Sequence, residues 1–372
     1  MSLDRRCWDA IVVGGGPAGS AVAYALASAG REVLLVERRT QVEFKFGELF
    51  PPQGTPLLAR FGLDKGALTA EHAVARGTVS VWGSARPQSR DFLFNPYGDG
   101  LRLDRPRFDA CLRERAEAAG ASVVTGFRFV DAVREAGLWR VTLAEAAASL
   151  RARVLVDCSG RASVVARHLG VERETEDRLV AYGGLYASEG DEVDPFLRIE
   201  ACPNGWLYGL QLPSGDRLVV FHTDGDLLER GDGETLERLV GESEHIGSRL
   251  RAHGHRLVGR ARGAVAGGAR LKAFCGPGWY AAGDAALAFD PLSSQGMVRA
   301  IESGFLAADC ILAGHADAQA RYVRAQQVVA AEYQRQHAHF YGVETRWAGE
   351  PFWDRRRGGN VASADPPETT KG

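Results

Sequence analysis

Lysine is scarce in this sequence of 372 residues: it stands only at positions 45, 65, 272 and 371, and arginine supplies the rest of the 45 basic residues. These face 47 acidic residues for a formal net charge of −2, with no long basic block, so nucleic acid and anionic membrane are not expected as partners. No apolar run approaches the roughly 18 residues of a membrane-spanning helix, and no transmembrane segment is expected. The six cysteines, Cys7, Cys111, Cys158, Cys202, Cys275 and Cys310, are scattered without a C-x-x-C pair. That excludes the usual zinc and redox-dithiol patterns and leaves most of them expected as buried small apolar side chains. Internal repeats are absent. The N-terminus runs almost at once into a strand, which leaves no room for a signal peptide and makes a cytoplasmic location the expectation.

What is present is an ordinary globular composition, 45% hydrophobic and 25% charged, in a chain long enough for two domains or one with an insertion. The most informative stretch runs from Trp8 to Arg38. Gly14, Gly16 and Gly19 follow the apolar run Ile11 to Val13, Pro17 and Ala18 open a small-residue helix, and Glu37 and Arg38 follow a second apolar run, Val33 to Val36. This is a strand, turn, helix, strand unit for a dinucleotide. Gly14 permits the tight turn, Gly16 lets a pyrophosphate approach the backbone, and Gly19 lets helix and strand lie close. The phosphates sit at a helix N-terminus, where free N–H groups and the dipole favour an anion. Glu37 is placed for ribose hydroxyls. Locally the motif leaves NAD and FAD open.

Further along, helices are expected from Thr55 to Phe61, from Asp104 to Gly120 with Pro106 near its start, from Thr235 to Ala252, from Met297 to Leu312 and from Gln319 to Tyr341. Strands are expected at Thr78 to Trp82, Phe92 to Phe94, Ser122 to Thr125, Val130 to Arg134, Trp139 to Leu143 and Arg153 to Val156. The block from Leu179 to Thr223 is mostly strand, broken by turns at Pro203-Asn204-Gly205 and Pro213-Ser214-Gly215. The tail after Arg357 is polar, rich in Gly and Pro, and expected to be disordered.

A second motif, Gly283-Asp284 followed by Asp290-Pro291 and Gln295-Gly296, combines with the first. Together they resemble the FAD-dependent aromatic hydroxylases, halogenases and geranylgeranyl reductases. The resemblance implies that the dinucleotide is FAD. Asp284 would reach its ribitol and pyrophosphate, Pro291 to Gly296 would lie against the isoalloxazine, and the helix from Met297 would aim its N-terminus at the flavin O2 side, stabilising the anionic reduced ring. LDRPRFDACLRERAEAAGA resembles the family's arginine-bearing helix start, with Arg105 the first flavin contact and Arg107 the second. VDCSGRASVVARHLG resembles its D-x-x-G-x-x-S element, Asp157 and Gly160 turning the chain beside the cofactor. The implied fold is α/β: a Rossmann-type, GR2-like FAD-binding domain (1–75, 100–175 and 268–314) interrupted by a mixed β-sheet substrate domain (76–99 and 176–267), with C-terminal helices at 315–357 and a tail at 358–372.

KFGELFPP, Lys45 to Pro52, looks like the G-E-S-x-x-P element of tryptophan halogenases and their hydroxylating relatives. GWLYGLQLPSGDRLVVFHTDGD and PFWDRR are similar to segments of halogenase-like flavoproteins that hydroxylate a peptidyl tryptophan in tryptophylquinone biogenesis. Flavin halogenases, however, use a lysine in the substrate-side sheet, and none occurs here between Lys65 and Lys272. The loop also has Ser293 where a halogenase Glu would fall and Gln295 before its Gly, and W-x-W-x-I-P is missing. The resemblance therefore implies hydroxylation of an indole- or phenol-like ring through a flavin C4a-hydroperoxide. The substrate is a small aromatic molecule or a tryptophan-containing partner polypeptide. Glu48, Lys45 and His222 are the catalytic candidates, with Asp226 a further polar group, Glu48 and Lys45 a potential ion pair, and His222 able to titrate near neutrality. Trp206, Tyr208 and Trp82 could line an aromatic pocket. No second G-x-G-x-x-G is present, so electrons would come from transient NAD(P)H or a separate flavin reductase. The alternatives are isoprenoid double-bond reduction, halogenation, or a flavoprotein maturation factor without turnover.

Overall fold

The computed structural model describes residues 7–41, 45–187, 190, 192–228 and 233–357; the tail after Arg357 lies outside them. Two large sheets organise these residues. In the first, Cys7–Val13 pairs in parallel with Val33–Glu37 on one side and Leu150–Asp157 on the other. Ser122–Thr125 extends the sheet beyond the former, and Trp279–Ala281 beyond the latter, both in parallel. An antiparallel hairpin, Phe129–Glu135 with Leu138–Leu143, adds to Leu150–Asp157. The apolar runs are continuous rather than alternating, as in a parallel sheet covered on both faces: Ile11, Val12, Leu34 and Leu35 are fully buried, in a core shared with helix Pro17–Ser28 and with Trp139 and Val141 of the hairpin.

Register decides where the motifs meet. Val13 stands beside Asp157, and Asp157 beside Ala281. The glycine turn after Val13, the turn after Asp157 and the Gly283-Asp284 turn thus leave the sheet at one carboxyl edge. There the strand order reverses, the position at which open α/β sheets bind ligands.

The second sheet has seven strands in the order Arg256–Val265, Leu179–Ala187, Arg217–Asp224, Gly205–Gln211, Phe196–Cys202, Gly77–Val81 and Gln88–Asp91. All its pairs are antiparallel except Phe196–Cys202 with Gly77–Val81. One face buries Leu207, Val219 and Phe221 under helices Gly233–Gly241 and Ile246–Ala252. The other buries Trp206, Leu210, Leu218 and Val220 together with Tyr341, Phe352 and Trp353, from helices Ala316–Val343 and Pro351–Arg357.

Two elements differ from expectation. Phe92 to Phe94 is a turn, and the strand is Gln88–Asp91: Asp91 Oδ1 accepts the Leu93 N–H at 2.7 Å, diverting the chain, and Phe94 is left 89% exposed. The helix over Thr235 to Ala252 is two helices. Buried Glu200, from the sheet, accepts the N–H groups of Glu244 and Ile246, each at 2.9 Å, and starts the second helix there. Long-range capping overrides local helix signal.

Candidate active site

A cavity of about 820 Å³ lies along the carboxyl edge of the first sheet, with the second sheet as its far wall. Gly14, Gly16, Pro17, Ala18, Glu37, Arg38, Arg105, Asp284, Pro291, Gly296 and Met297 line it, as do Lys45, Glu48 and His222. Gly19, Gly283 and Gln295 do not. Gly19 is a packing residue: a Cβ there would fall 1.8 Å from the Gly14 carbonyl oxygen. Gly283 instead borders a smaller cavity behind the turn, and Gln295 Oε1 is held by Arg299 at 3.2 Å.

Gly14 has φ +111°, and a Cβ there would lie 2.2 Å from the Cys158 carbonyl oxygen, so turn and neighbouring chain both require glycine. Gly16 is different. Its φ of −83° suits any residue, and its missing Cβ would meet nothing within 4 Å. The protein's own packing does not require glycine there, and the backbone at this point is open to close approach. Gly16 also begins helix Pro17–Ser28 with no side-chain cap, leaving first-turn N–H groups directed at the cavity. Glu37 holds the loop, its Oε2 accepting the Gly15 N–H at 2.8 Å.

The second turn is built by Asp157. Its Oδ1 accepts from Ser159 N and Oγ (3.0 and 2.6 Å) and its Oδ2 from Val165 and Ala166 N (2.9 and 2.8 Å). Two arginines that sequence reasoning missed then join the segments. Arg161 Nε lies 3.7 Å from Asp284 Oδ2, and its Nη2 donates to the Ala266 and Phe289 carbonyls at 3.0 and 2.7 Å. Arg173 donates to the Asp284 and Ala285 carbonyls at 3.0 and 3.1 Å.

On the far side, Arg105 donates from Nη1 to the Phe46 and Gly47 carbonyls (3.1 and 2.9 Å), fixing the loop that carries Glu48. Arg107 is exposed, beside Asp104, and outside the cavity. Lys45 does not pair with Glu48. Its Nζ is 2.8 Å from Asp109, which also faces Arg105 Nη2 at 3.2 Å. Burial by itself would raise the Asp109 pKa, but Arg105 and Lys45 hold it below the usual carboxylate range.

Glu48 is 3% exposed. Its Oε2 accepts from Tyr208 Oη at 3.1 Å, while its Oε1 has no partner. Burial pushes its pKa up to about 7, against the opposing pull of Arg105. His222 stacks on Trp206, centroids 3.8 Å apart and planes within 7°. Burial drives its pKa down to about 3, so the expected titration near neutrality is corrected: the ring is neutral throughout the working range. Trp206 and Tyr208 line the cavity. Trp82 stands behind Trp206, 6.3 Å centroid to centroid, outside the lining, and Asp226 is also outside it, tied to Arg355 at 2.7 Å. Behind the wall, Trp206 Nε1 donates to Tyr341 Oη at 3.0 Å, and Tyr341 Oη to Asp290 Oδ2 at 2.7 Å.

Residues 8–191 match the family described as FAD binding domain. Over 364 residues the chain is 29% identical to LodB of Marinomonas mediterranea, described as a FAD-dependent oxidoreductase, covering 94% of this chain and 96% of LodB. The structure of the myxobacterial chondrochloren halogenase CndH superposes with a TM-score of 0.85 at 26% identity, covering 95% of this chain and 86% of CndH. That of the peptidyl tryptophan dihydroxylase QhpG does so with a TM-score of 0.75 at 25% identity, covering 96% and 80%. With the glycine cradle and the convergent turns, these findings define a FAD-binding flavoprotein of the oxidoreductase class. They are consistent with the superfamily of FAD-dependent aromatic hydroxylases and tryptophan halogenases that the motifs resemble. Among the described residues no helix is long and apolar enough to cross a membrane.

Proposed function

We propose that this flavoprotein is a monooxygenase that hydroxylates an indole-type ring, presented by a partner polypeptide or as a small molecule. The observation carrying this reading is a buried carboxyl, Glu48, with one oxygen unpartnered, facing a cavity walled by Trp206, Tyr208 and His222. Bound FAD, once reduced, would supply with dioxygen an electrophilic oxygen atom for an electron-rich ring. Gly16, the N-terminus of helix Pro17–Ser28, Glu37 and Asp284 would hold its pyrophosphate and sugar parts. The turn Pro291 to Gly296 would border its ring.

The chain's own contribution is orientation, exclusion of water and one proton transfer. The neutral His222 and Trp206, stacked on one another, form an aromatic wall beside which an indole can pack. Glu48 Oε1 can accept the proton that the ring releases on hydroxylation, and a pKa of about 7 matches that task to the ambient pH. Tyr208 Oη keeps the carboxyl turned. Halogenation is the rival, favoured by the likeness to CndH. Against it, Lys45 is the single lysine of the cavity lining, and it is engaged by Asp109.

The test supplies chemically reduced FAD, heavy-isotope dioxygen and an indole-bearing peptide. Hydroxylated product carrying the label is expected, even with chloride or bromide in excess. Glu48→Gln should keep the bound-flavin spectrum and lose about 100-fold in kcat, the usual scale for a general base. A halogenated product would overturn the reading; full activity in the variant would remove Glu48 from it.

A further inference from the structure

The last strand of the second sheet, Arg256–Val265, pairs on one side only, with Leu179–Ala187. Among the described residues its other edge offers unpaired main-chain N–H and C=O groups, a template for an added strand. Register sets its faces. Arg256, Val258, Arg262 and Ala264 stand opposite Ala187, Leu185, Gly183 and Ala181, and Ala181 stands opposite His222, itself opposite Trp206. These strand residues therefore project on the cavity side of the sheet. Arg260 sits in the bulge that separates Val258 from Arg262, beside Gly259 with φ +72°, and is exposed. Within the strand the charged residues are Arg256, Arg260 and Arg262, with no acid, in a chain whose net charge is negative.

The inner end of the strand enters the site: Arg262 to Ala266 line the cavity. Gly263 lies within that stretch. A Cβ there would come no nearer than 3.9 Å to a non-neighbouring atom, so the fold does not demand glycine at this point. A glycine the fold does not need, at the mouth of a site, suits close approach by another backbone. Val265, 70% exposed, and Val258, 42% exposed, offer apolar contact along the same edge.

We propose that Arg256–Val265 is the docking edge for an extended, acidic segment of the polypeptide substrate, which adds as a strand and delivers its aromatic side chain into the cavity. The inference rests on the hydroxylation reading and specifies its partner. Main-chain pairing gives the segment its direction, and the arginine row selects acidic over neutral or basic sequences. Arginines on an open edge also discourage indiscriminate pairing, which serves the same selectivity.

The test uses the full chain loaded with oxidised FAD, so that binding is read without turnover. The probes are a peptide of about twelve residues, roughly the strand's span at 3.3 Å per residue, with one tryptophan among Asp and Glu, and its Lys-flanked counterpart. The acidic peptide should bind, and the basic one should not. Arg256→Glu/Arg260→Glu should weaken the acidic peptide about ten-fold or more, reverse the preference and leave the flavin spectrum intact. Hydrogen exchange should slow at 262–265 when the acidic peptide is bound.

Equal binding of the two peptides, an unchanged affinity in the double variant, or absence of protection at 262–265 would overturn the docking edge. So would a variant whose defect is confined to reduction by NAD(P)H, which would assign the arginines to that dinucleotide. A peptide that docks as described but gains no oxygen under turnover would overturn the hydroxylase reading and leave the docking edge standing. Hydroxylation of a free indole without peptide binding would do the reverse.

Discussion

Gly14 and Gly16, two positions apart in one motif, are glycines for different reasons, and substitution separates them. Gly14→Ala places a methyl group at 2.2 Å from the Cys158 carbonyl oxygen and forces a positive φ on alanine, so the variant should be recovered unfolded or strongly destabilised. Gly16→Ala meets nothing. It should match the wild-type thermal midpoint without FAD, and fail to show the rise that added FAD gives the wild type, about 2.7 kcal/mol at a hundred times Kd. Glu48 makes a second prediction. Its folded pKa, about 7, exceeds the ordinary 4.5, so the folded state holds this proton where the unfolded state has lost it. The resulting stability is present below pH 4.5 and lost as pH rises through about 7. Without FAD, Glu48→Gln should therefore gain on the wild type by on the order of 2–3 kcal/mol between pH 5 and pH 8, read from denaturant midpoints. Asp109 runs the other way: its lowered pKa stabilises above the ordinary 3.8 and is lost as pH falls below it.

Among the elements, the short helix Pro351–Arg357 has an effect beyond its length. Phe352 and Trp353 are fully buried, and Trp353 lies 5.3 Å from Trp82, ring to ring, behind the cavity wall. Arg356 stacks at 3.8 Å over Phe352 and pairs with Asp224 at 2.7 Å, and Arg355 closes on Asp224 and Asp226. The helix thus backs Trp206 from outside. Trp353→Ala should cost about 3 kcal/mol or more in stability, the range for a deleted core aromatic. Because the glycine cradle lies on the other sheet, FAD should still bind while turnover of an indole substrate falls; equal loss of both would contradict this division. The neighbouring group Asp177, Asp290 and His337 brings three ligand-type atoms together. Its carboxylates are already engaged, Asp177 by Arg356 and Asp290 by the Tyr341 hydroxyl, which donates to it, and Asp290 anchors the turn that follows it.

For the molecule as a whole, one cavity is walled by both sheets, and Arg161 bonds across it from the first sheet's turn to the Ala266 carbonyl after the edge strand. A ligand filling that space stabilises both sheets together. With FAD saturating, flavin emission and backbone circular dichroism should report one coincident unfolding transition. Flavin release well before the loss of secondary structure would contradict this coupling.

Local chemistry was enough to read the strand, glycine turn and helix around Gly14, Gly16 and Gly19, because each requirement sits within a few residues of its neighbours in sequence. That the dinucleotide is FAD was implied by the family resemblance which this motif and Gly283-Asp284 carry together; both are short, position-specific backbone turns. What spacing could not supply was anything set by burial or by register across the chain. The partner of Lys45 is Asp109, 64 residues on. Arg161 and Arg173 read as ordinary arginines until the fold brings them to the Asp284 turn. Glu48 and His222 look alike as titratable candidates in sequence; the low dielectric of the interior raises one pKa to about 7 and drives the other to about 3. Which strand lies at the open edge of the described sheet, and that Arg262 reaches the cavity lining, is a property of pairing order and not of local sequence.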